Sequence, residues 1–264
     1  MATFYSLAKS MTNTKLAMAG LFLLLMVRLA AADNPKQIRA ERAHSAFRQA
    51  QTQFLADTNN PTNAWNFART TFDLCEVATN ETQRAEIARL GIAACHQLVT
   101  REPKSGAGHY YLAMNYGELA DALAPSLAAY RLVKDVEREF KTAAELDEHF
   151  DFAGPARNLG ELYFQAPGWP LSIGSKRKAH DWLERAATLA PEYPENLLNL
   201  TEAQLKWHQA DDAEKTLQKL DTLWPAALTN LTGVAWEQSW SEWRTRRLAA
   251  KKECARIAPS NSNR

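Results

Sequence analysis

The feature that most limits what this chain can fold into is a spaced set of small and large apolar residues that returns at a fixed pitch. Ala179-x3-Leu183-x2-Ala186-x4-Pro191 recurs, roughly 34 residues on, as Ala213-x3-Leu217-x2-Leu220-x4-Pro225. The same frame fits Val136-x3-Phe140-x2-Ala143-x4-Glu148 and Gly91-x3-Cys95-x2-Leu98-x4-Pro103. Steps of four and three place the first three residues of each set on one face of a helix. The small residue lets a neighbouring helix approach, the large one fills the space between them, and proline stops the helix. A unit of this length cannot bury its apolar face alone, so the copies must stack.

Each copy needs a partner helix, and the pattern Trp-x2-Leu-Gly-x2-Tyr of tetratricopeptide first helices appears in degenerate form. His109-x2-Leu112-Ala113-x2-Tyr116 and Ala156-x2-Leu159-Gly160-x2-Tyr163 are the clearest versions. Leu197-x2-Leu200-Thr201-x2-Gln204 and Trp65-x2-Ala68-Arg69-x2-Phe72 are poorer. The expected fold is an all-α, tetratricopeptide-like solenoid of about four helical hairpins. Composition agrees: there are 45 Ala against 10 Gly and 11 Pro, and neither Asn-Gly nor Asp-Gly occurs to close a tight strand hairpin.

The two half-motifs lie closest in the last unit, where Leu200 is followed by Ala213. They are farther apart in the others, where Leu159 leads to Ala179, Leu112 to Val136 and Ala68 to Gly91. The extra residues fall at the turn inside each hairpin. Around Thr79 to Thr82 and Asp121 to Ser126 they are expected to lengthen helices or loops. The third insertion, Ala166-Pro-Gly-Trp169-Pro-Leu-Ser-Ile-Gly174, places an aromatic side chain between turn formers. Trp169 reads equally as a rigid anchor for a ligand or partner and as a cap on the core beneath its own loop.

The ends read as caps. Ile38 to Leu55 is an Ala-rich helix with Phe47 and Phe54 on one stripe, and Gly233 to Ile257 is a long helix carrying Trp236, Trp240, Trp243 and Arg247 on one face. The expected organisation is an export signal over 1–32, a capping helix over 33–60, repeats over 61–228, a second capping helix over 229–258 and a disordered tail over 259–264. Trp with seven basic and three acidic residues after position 236 also suits a membrane surface or nucleic acid, but capping is the favoured reading.

Lys15 precedes the twelve apolar residues Leu16–Val27, and Leu29-Ala-Ala-Ala-Asp33 offers a cleavage site. Twelve residues rise about 18 Å, short of a bilayer core of roughly 30 Å. The expectation is cleavage near Ala32/Asp33 and a periplasmic mature chain, with translation starting at Met1 or Met11; Arg28 leaves a retained anchor open. There is no Cys beside the cleavage site for lipid attachment. The formal charge of +1 (31 basic, 30 acidic) becomes 28 − 30 = −2 without residues 1–32, which gives no general attraction to nucleic acid.

Cys75 and Cys95 sit about five residues before and fifteen after a hairpin turn near Asn80, a mismatch of roughly 15 Å that no disulfide spans. With Cys254 they read as small buried apolar residues. The six histidines are scattered, and no metal-binding, phosphate-loop, dinucleotide or nucleophile-elbow motif occurs. No catalytic residue, cofactor or metal is expected. A hidden enzyme would bring two or more of His109, Glu118, Glu161 and Asp181 together in one cleft.

The run Leu159-Gly-Glu-Leu-Tyr-Phe-Gln-Ala-Pro-Gly-Trp-Pro-Leu-Ser-Ile-Gly174, with Leu183-Glu-Arg-Ala186 and Ala190-Pro-Glu-Tyr-Pro-Glu-Asn196, resembles the TRAP-transporter T-component (TatT) family. Gly108-His-Tyr-Tyr-Leu-Ala-Met-Asn-Tyr116 and Gly154-Pro-Ala-Arg-Asn158 extend the likeness over about residues 85 to 225. The resemblance implies a non-enzymatic periplasmic accessory protein that binds a solute-binding protein and a small organic ligand, in a family with trimers and a pore through each subunit. It points to Trp169, Arg157, Asn158 and Tyr163 near the mouth of a cleft, with Asn115 and Tyr116 facing it from the next unit. The alternative is a scaffold of the same fold for envelope protein assembly, with no small-molecule site.

Overall fold

The computed structural model describes residues 35–257 apart from 169 and 170, so the expected export signal, the expected disordered tail and Trp169 lie outside the described residues. The helices are α1 (Pro35–Ala56), α2 (Pro61–Cys75), α3 (Glu81–Arg101), α4 (Gly106–Ala122), α5 (Leu127–Leu146), α6 (Phe150–Gln165), α7 (Lys176–Leu189), α8 (Pro194–Lys206), α9 (Ala210–Asn230) and α10 (Glu237–Ile257). Four antiparallel hairpins, α2–α3, α4–α5, α6–α7 and α8–α9, stack in chain order between α1 and α10.

All twelve small and large positions of the second-helix pattern are buried, from Gly91, Cys95 and Leu98 to Ala213, Leu217 and Leu220. So are Ala68, Leu112, Leu159 and Leu200 of the first helices. In the first hairpin the pattern weakens as read, because Arg69 and Phe72 are only half-buried and Arg69 pairs instead with Asp73 at 3.2 Å. Hairpin helices open on the polar side chains expected of N-caps. Asn80 accepts from the Gln83 amide at 2.9 Å, Ser126 from Ala129 at 3.1 Å and Ser175 from Lys178 at 3.4 Å.

The three insertions differ in kind. In the first two hairpins the added residues are mostly helical: α4 continues from Leu112 to Ala122, whereas α8 ends at Lys206, soon after Leu200. In the third, both helices keep the short length, and the connection between them, of which residues 166–168 and 171–175 are described, is not helical. Its ends meet where the Gly174 amide donates to the Pro167 carbonyl at 2.9 Å and the Ser175 amide to Tyr163 at 3.0 Å. A Cβ at Gly174 would lie 2.0 Å from the Ala166 carbonyl oxygen, so only glycine fits the closure.

Two expectations at the C-terminal end need correction. Pro225 does not stop its helix: α9 continues through it to Asn230, held by burial of Trp224 and Ala227 against α10. The last helix begins at Glu237 and not at Gly233, because Gly233 adopts φ +92° and a short 3-10 turn, Val234–Trp236, follows. The capping reading of its tryptophans fits the packing: Trp240 and Trp243 are buried, and Trp240 donates to the Leu231 carbonyl at 2.6 Å. Two of its cations are occupied too, Arg247 and Lys251 both pairing with Asp221. At the other end Phe67 packs against Phe47 and Phe54 of α1, with ring centroids 5.4 and 5.2 Å apart.

Cys75 and Cys95 are free and buried as expected, whereas Cys254 is half-exposed at the edge of the last helix. Among the described residues no helix is long and apolar enough to cross a membrane.

A buried ion pair joins the hairpin α4–α5. His109 Nδ1 lies 2.6 Å from Glu139 Oε2 and His109 Nε2 lies 3.0 Å from the Pro103 carbonyl. Both partners are acceptors, so both ring nitrogens must donate and the imidazolium is favoured. The hydrogen bond to Glu139 raises the His109 pKa above its ordinary 6.5, burial opposing. A raised histidine pKa adds stability below pH 6.5 that is lost as pH rises through the folded-state value. Melting curves should therefore show His109→Gln trailing the parent at mildly acidic pH, with the gap closing under alkaline conditions; a gap independent of pH would refute the charged pair.

A candidate binding groove on the inner face

Successive first helices contact one another, α2 with α4, α4 with α6 and α6 with α8, whereas successive second helices do not, and the ends of the array approach. Arg42 of α1 and Glu237 of α10 pair at 3.4 Å across 195 residues of chain. Between α6, α8 and α10 lies a groove of about 430 Å³ lined by Arg157, Asn158, Glu161, Gln165, Glu195, Asn199, Glu202 and Arg246.

Repeat register explains the lining. Asn158 and Asn199 each precede the buried leucine of their first helix, and Glu161 and Glu202 each follow it by two. One step along the solenoid thus carries the same residue types to the same face. Arg246 of α10 closes the far wall, its guanidinium donating to both carboxylate oxygens of Glu202 at 2.8 and 2.7 Å and to Asn199 at 2.5 Å. Burial pushes the Glu161 carboxyl pKa up, the Gln165 amide and Arg246 opposing it. A carboxylate so desolvated gains from any cation that reaches it.

The groove floor is built on an unusual turn. Asp151, Phe152 and Ala153 have φ of 50°, 55° and 60°, a left-handed turn in non-glycine residues at the start of α6. Such residues each cost about 1–2 kcal/mol and persist only where their surroundings over-determine them. Arg157 supplies the restraint. It donates to the Asp151 and Phe152 carbonyls at 3.1 Å each, to the Asp151 carboxylate at 2.9 Å and to Asn196 at 3.3 Å. Asn196 donates to the Phe152 carbonyl at 3.0 Å and Tyr110 to the Asp151 carboxylate at 2.6 Å. Tyr193 stacks on Phe152 at 4.8 Å and lies beneath the Arg157 guanidinium at the same distance.

Arg157 and Asn158 therefore share one groove, Arg157 from beneath and Asn158 partly exposed, bonded to Tyr110 at 3.1 Å. Tyr163 is buried on the opposite side of α6, its hydroxyl bonded to Glu137 and its ring under the Lys178 ammonium at 4.8 Å. Asn115 does not face a cleft. It is fully buried and saturated, donating to the Ala68 and Tyr111 carbonyls at 2.9 and 2.8 Å and accepting from Thr71. Tyr116 is also buried, its hydroxyl 2.5 Å from His96. Glu195, Asn199, Glu202 and Arg246 escaped the sequence reading, although the repeat columns of Asn158 and Glu161 pointed to two of them.

His109, Glu118, Glu161 and Asp181 do not come together; their partners are Glu139, Arg84, Gln165 and Arg177 respectively. Among the described residues no three His, Cys, Asp or Glu side chains gather as a metal site. Paired helices stacked in chain order, with a buried apolar frame at the same three positions of each second helix, define the chain as an all-α tetratricopeptide-like solenoid. The solved structure of a thermophilic TPR protein from Thermus thermophilus has the same architecture, with TM-score 0.60 over 87% of this chain and 97% of that one at 18% identity. Yeast Tom70 aligns more loosely, with TM-score 0.32 over 84% of this chain and 61% of that one at 12% identity. No protein-family model and no curated protein matches the sequence.

Proposed function

We propose that this chain is a non-enzymatic scaffold that grips an extended, basic segment of a partner protein in the groove between α6, α8 and α10. The observation that carries the reading is the repeated Asn and Glu lining: Asn158 and Asn199 with Glu161 and Glu202. Amides spaced along successive helices can bond a peptide backbone, and Glu161, bonded among the described residues only to the Gln165 amide, can take a lysine or arginine side chain, while Glu202 is already held by Arg246 and would have to exchange it. The chain acts after export, the segment before Asp33 having been removed.

The narrower reading is an accessory role in a TRAP-type transport system, with a periplasmic solute-binding protein as partner, a small ligand and a trimeric assembly. It rests on the residues 159–174 and their resemblance to the TatT family. The near closure of the array by Arg42 and Glu237 is compatible with a lumen of the kind that family uses. No residue of the groove requires a small molecule, so the scaffold reading is preferred.

A photo-crosslinking residue at Gln165, in cells, should capture a discrete partner whose crosslinked peptide is basic. Glu161→Lys with Glu202→Lys should abolish capture while leaving the helical circular dichroism intact. Undiminished capture by that variant would overturn the groove, and a crosslinked solute-binding protein would select the narrower reading.

A further inference from the structure

Helices α6 and α8 each carry the same fork, an Asn and a Glu three residues on, side by side on one helix face: Asn158 with Glu161 and Asn199 with Glu202. The first two hairpins have Phe67 with Thr70 and Tyr111 with Met114 at these positions, so the fork is confined to the half of the array nearer α10. On α8 it holds a guanidinium. Arg246 Nε and Nη2 donate to the two Glu202 oxygens at 2.8 and 2.7 Å, and Nη2 donates to the Asn199 oxygen at 2.5 Å. Asn199 is 4% exposed beneath it, whereas Asn158 is half-buried.

The α6 fork offers the same two acceptors. Asn158 uses its amide nitrogen on the Tyr110 hydroxyl at 3.1 Å, and Tyr110 in turn donates to Asp151, so the Asn158 oxygen is the atom left to accept. Glu161 takes one hydrogen bond, from Gln165 at 2.8 Å, and no ion pair among the described residues. The two guanidiniums of the groove are committed elsewhere. Arg157 pairs with Asp151 at 2.9 Å, and Arg246 with Glu202 at 2.7 Å and Glu195 at 3.7 Å. Burial raises the Glu161 carboxyl pKa against Gln165 and Arg246, with Glu202 and Glu195 adding repulsion, so a further cation there relieves both effects.

We propose that the Asn158–Glu161 fork is a guanidinium subsite that reads an arginine of the partner segment, with Arg246 on Asn199 and Glu202 as the chain's own copy of the bound state. The inference rests on the groove as the partner site and narrows its selectivity from basic side chains to arginine. A guanidinium is a planar set of donors that meets a carboxylate and an amide oxygen together, whereas an ammonium is a point charge with no such fixed fork. The internal pair shows that the spacing of Asn and Glu on this face suits that shape, since one nitrogen of Arg246 bridges the two side chains.

The test titrates the full chain with N-acetylargininamide and, separately, with N-acetyllysinamide, following the side-chain amide signals of Asn158 and Gln165 by NMR. The arginine probe should shift both signals and bind at least about tenfold more tightly than the lysine probe, the difference that one charge-assisted hydrogen bond makes. Glu161→Gln, which keeps the shape of the side chain, should weaken arginine binding by at least about tenfold. In Arg246→Ala, with α10 still held by the buried Trp240 and Trp243, the Asn199 amide should respond to arginine as well, because the second fork is released. Equal binding of the two probes, an unmoved Asn158 signal, or arginine binding undiminished in Glu161→Gln would overturn the proposal. So would an Asn199 signal indifferent to arginine in a folded Arg246→Ala chain. The groove reading fails separately. A segment captured at Gln165 that carries lysine and no arginine removes the arginine subsite and keeps the groove, whereas selective probe binding with no captured partner keeps the subsite and removes the scaffold.

Discussion

Arg157→Ala should cost about 3–5 kcal/mol, the usual consequence of removing one partner from a buried charged network. Four hydrogen bonds leave with the guanidinium, and the Asp151 and Phe152 carbonyls lose the donor that holds them in place. The left-handed residues 151–153 then have little to oppose their strain. At roughly 2–4 °C per kcal/mol for a chain of this size, the melting temperature should fall by about 6–20 °C. Arg157→Lys should recover only part of the loss, because a single ammonium cannot reach two carbonyls, a carboxylate and an amide together. Hydrogen exchange is the sharper readout, since stacked repeats can open unit by unit. Protection should vanish first around residues 150–158, and partner capture should decline with it, because Arg157 and Asn158 belong to the groove. A loss below about 1 kcal/mol would show that the turn needs no such restraint.

Gly91→Ala is the second large effect, expected at about 3 kcal/mol or more from overpacking and broken buried hydrogen bonds together. An added Cβ would lie 2.1 Å from Thr71 Oγ1, 2.3 Å from Asn115 Oδ1 and 2.5 Å from Asn115 Cγ. Neither neighbour has room to yield. Asn115 and Thr71 are fully buried, and the 2.8 Å bond between them passes where the methyl would sit. Chemical denaturation of Gly91→Ala, Thr71→Ala and the double variant provides the check. Removing the threonine hydroxyl relieves part of the clash, so the double variant should lose clearly less than the sum of the singles. Strict additivity would refute the steric account.

Much of the solenoid was legible because its determinants are local. The frame Ala179, Leu183, Ala186 requires only that one helix present one apolar face, and all of its copies are buried. The Asn and Ser caps and the short loop before Ser175 are likewise written within a few residues. Where the reading failed, a distant element intervened. Pro225 is tolerated in α9 because Trp224 and Ala227 are packed by α10, which adds binding energy that the local pattern does not contain. Asn115 is expected to face the cleft from the next unit, yet its partners include Thr71 and Ala68, 44 and 47 residues away along the chain.

The sequence by itself determined the helical hairpins, their number and the side of each helix that must be covered, since periodicity and capping act over one or two turns. The tertiary structure decided which polar residues meet. Stacking brought Asn158 and Glu161 beside Asn199, Glu202 and Arg246, the last of these 44 residues beyond Glu202 on the capping helix. It also buried Arg157 against a turn that no residue preference would have predicted. The physical reason is that burial of apolar stripes is indifferent to partner identity, whereas a groove, a saturated amide or a buried charge exists only once particular surfaces have closed on one another.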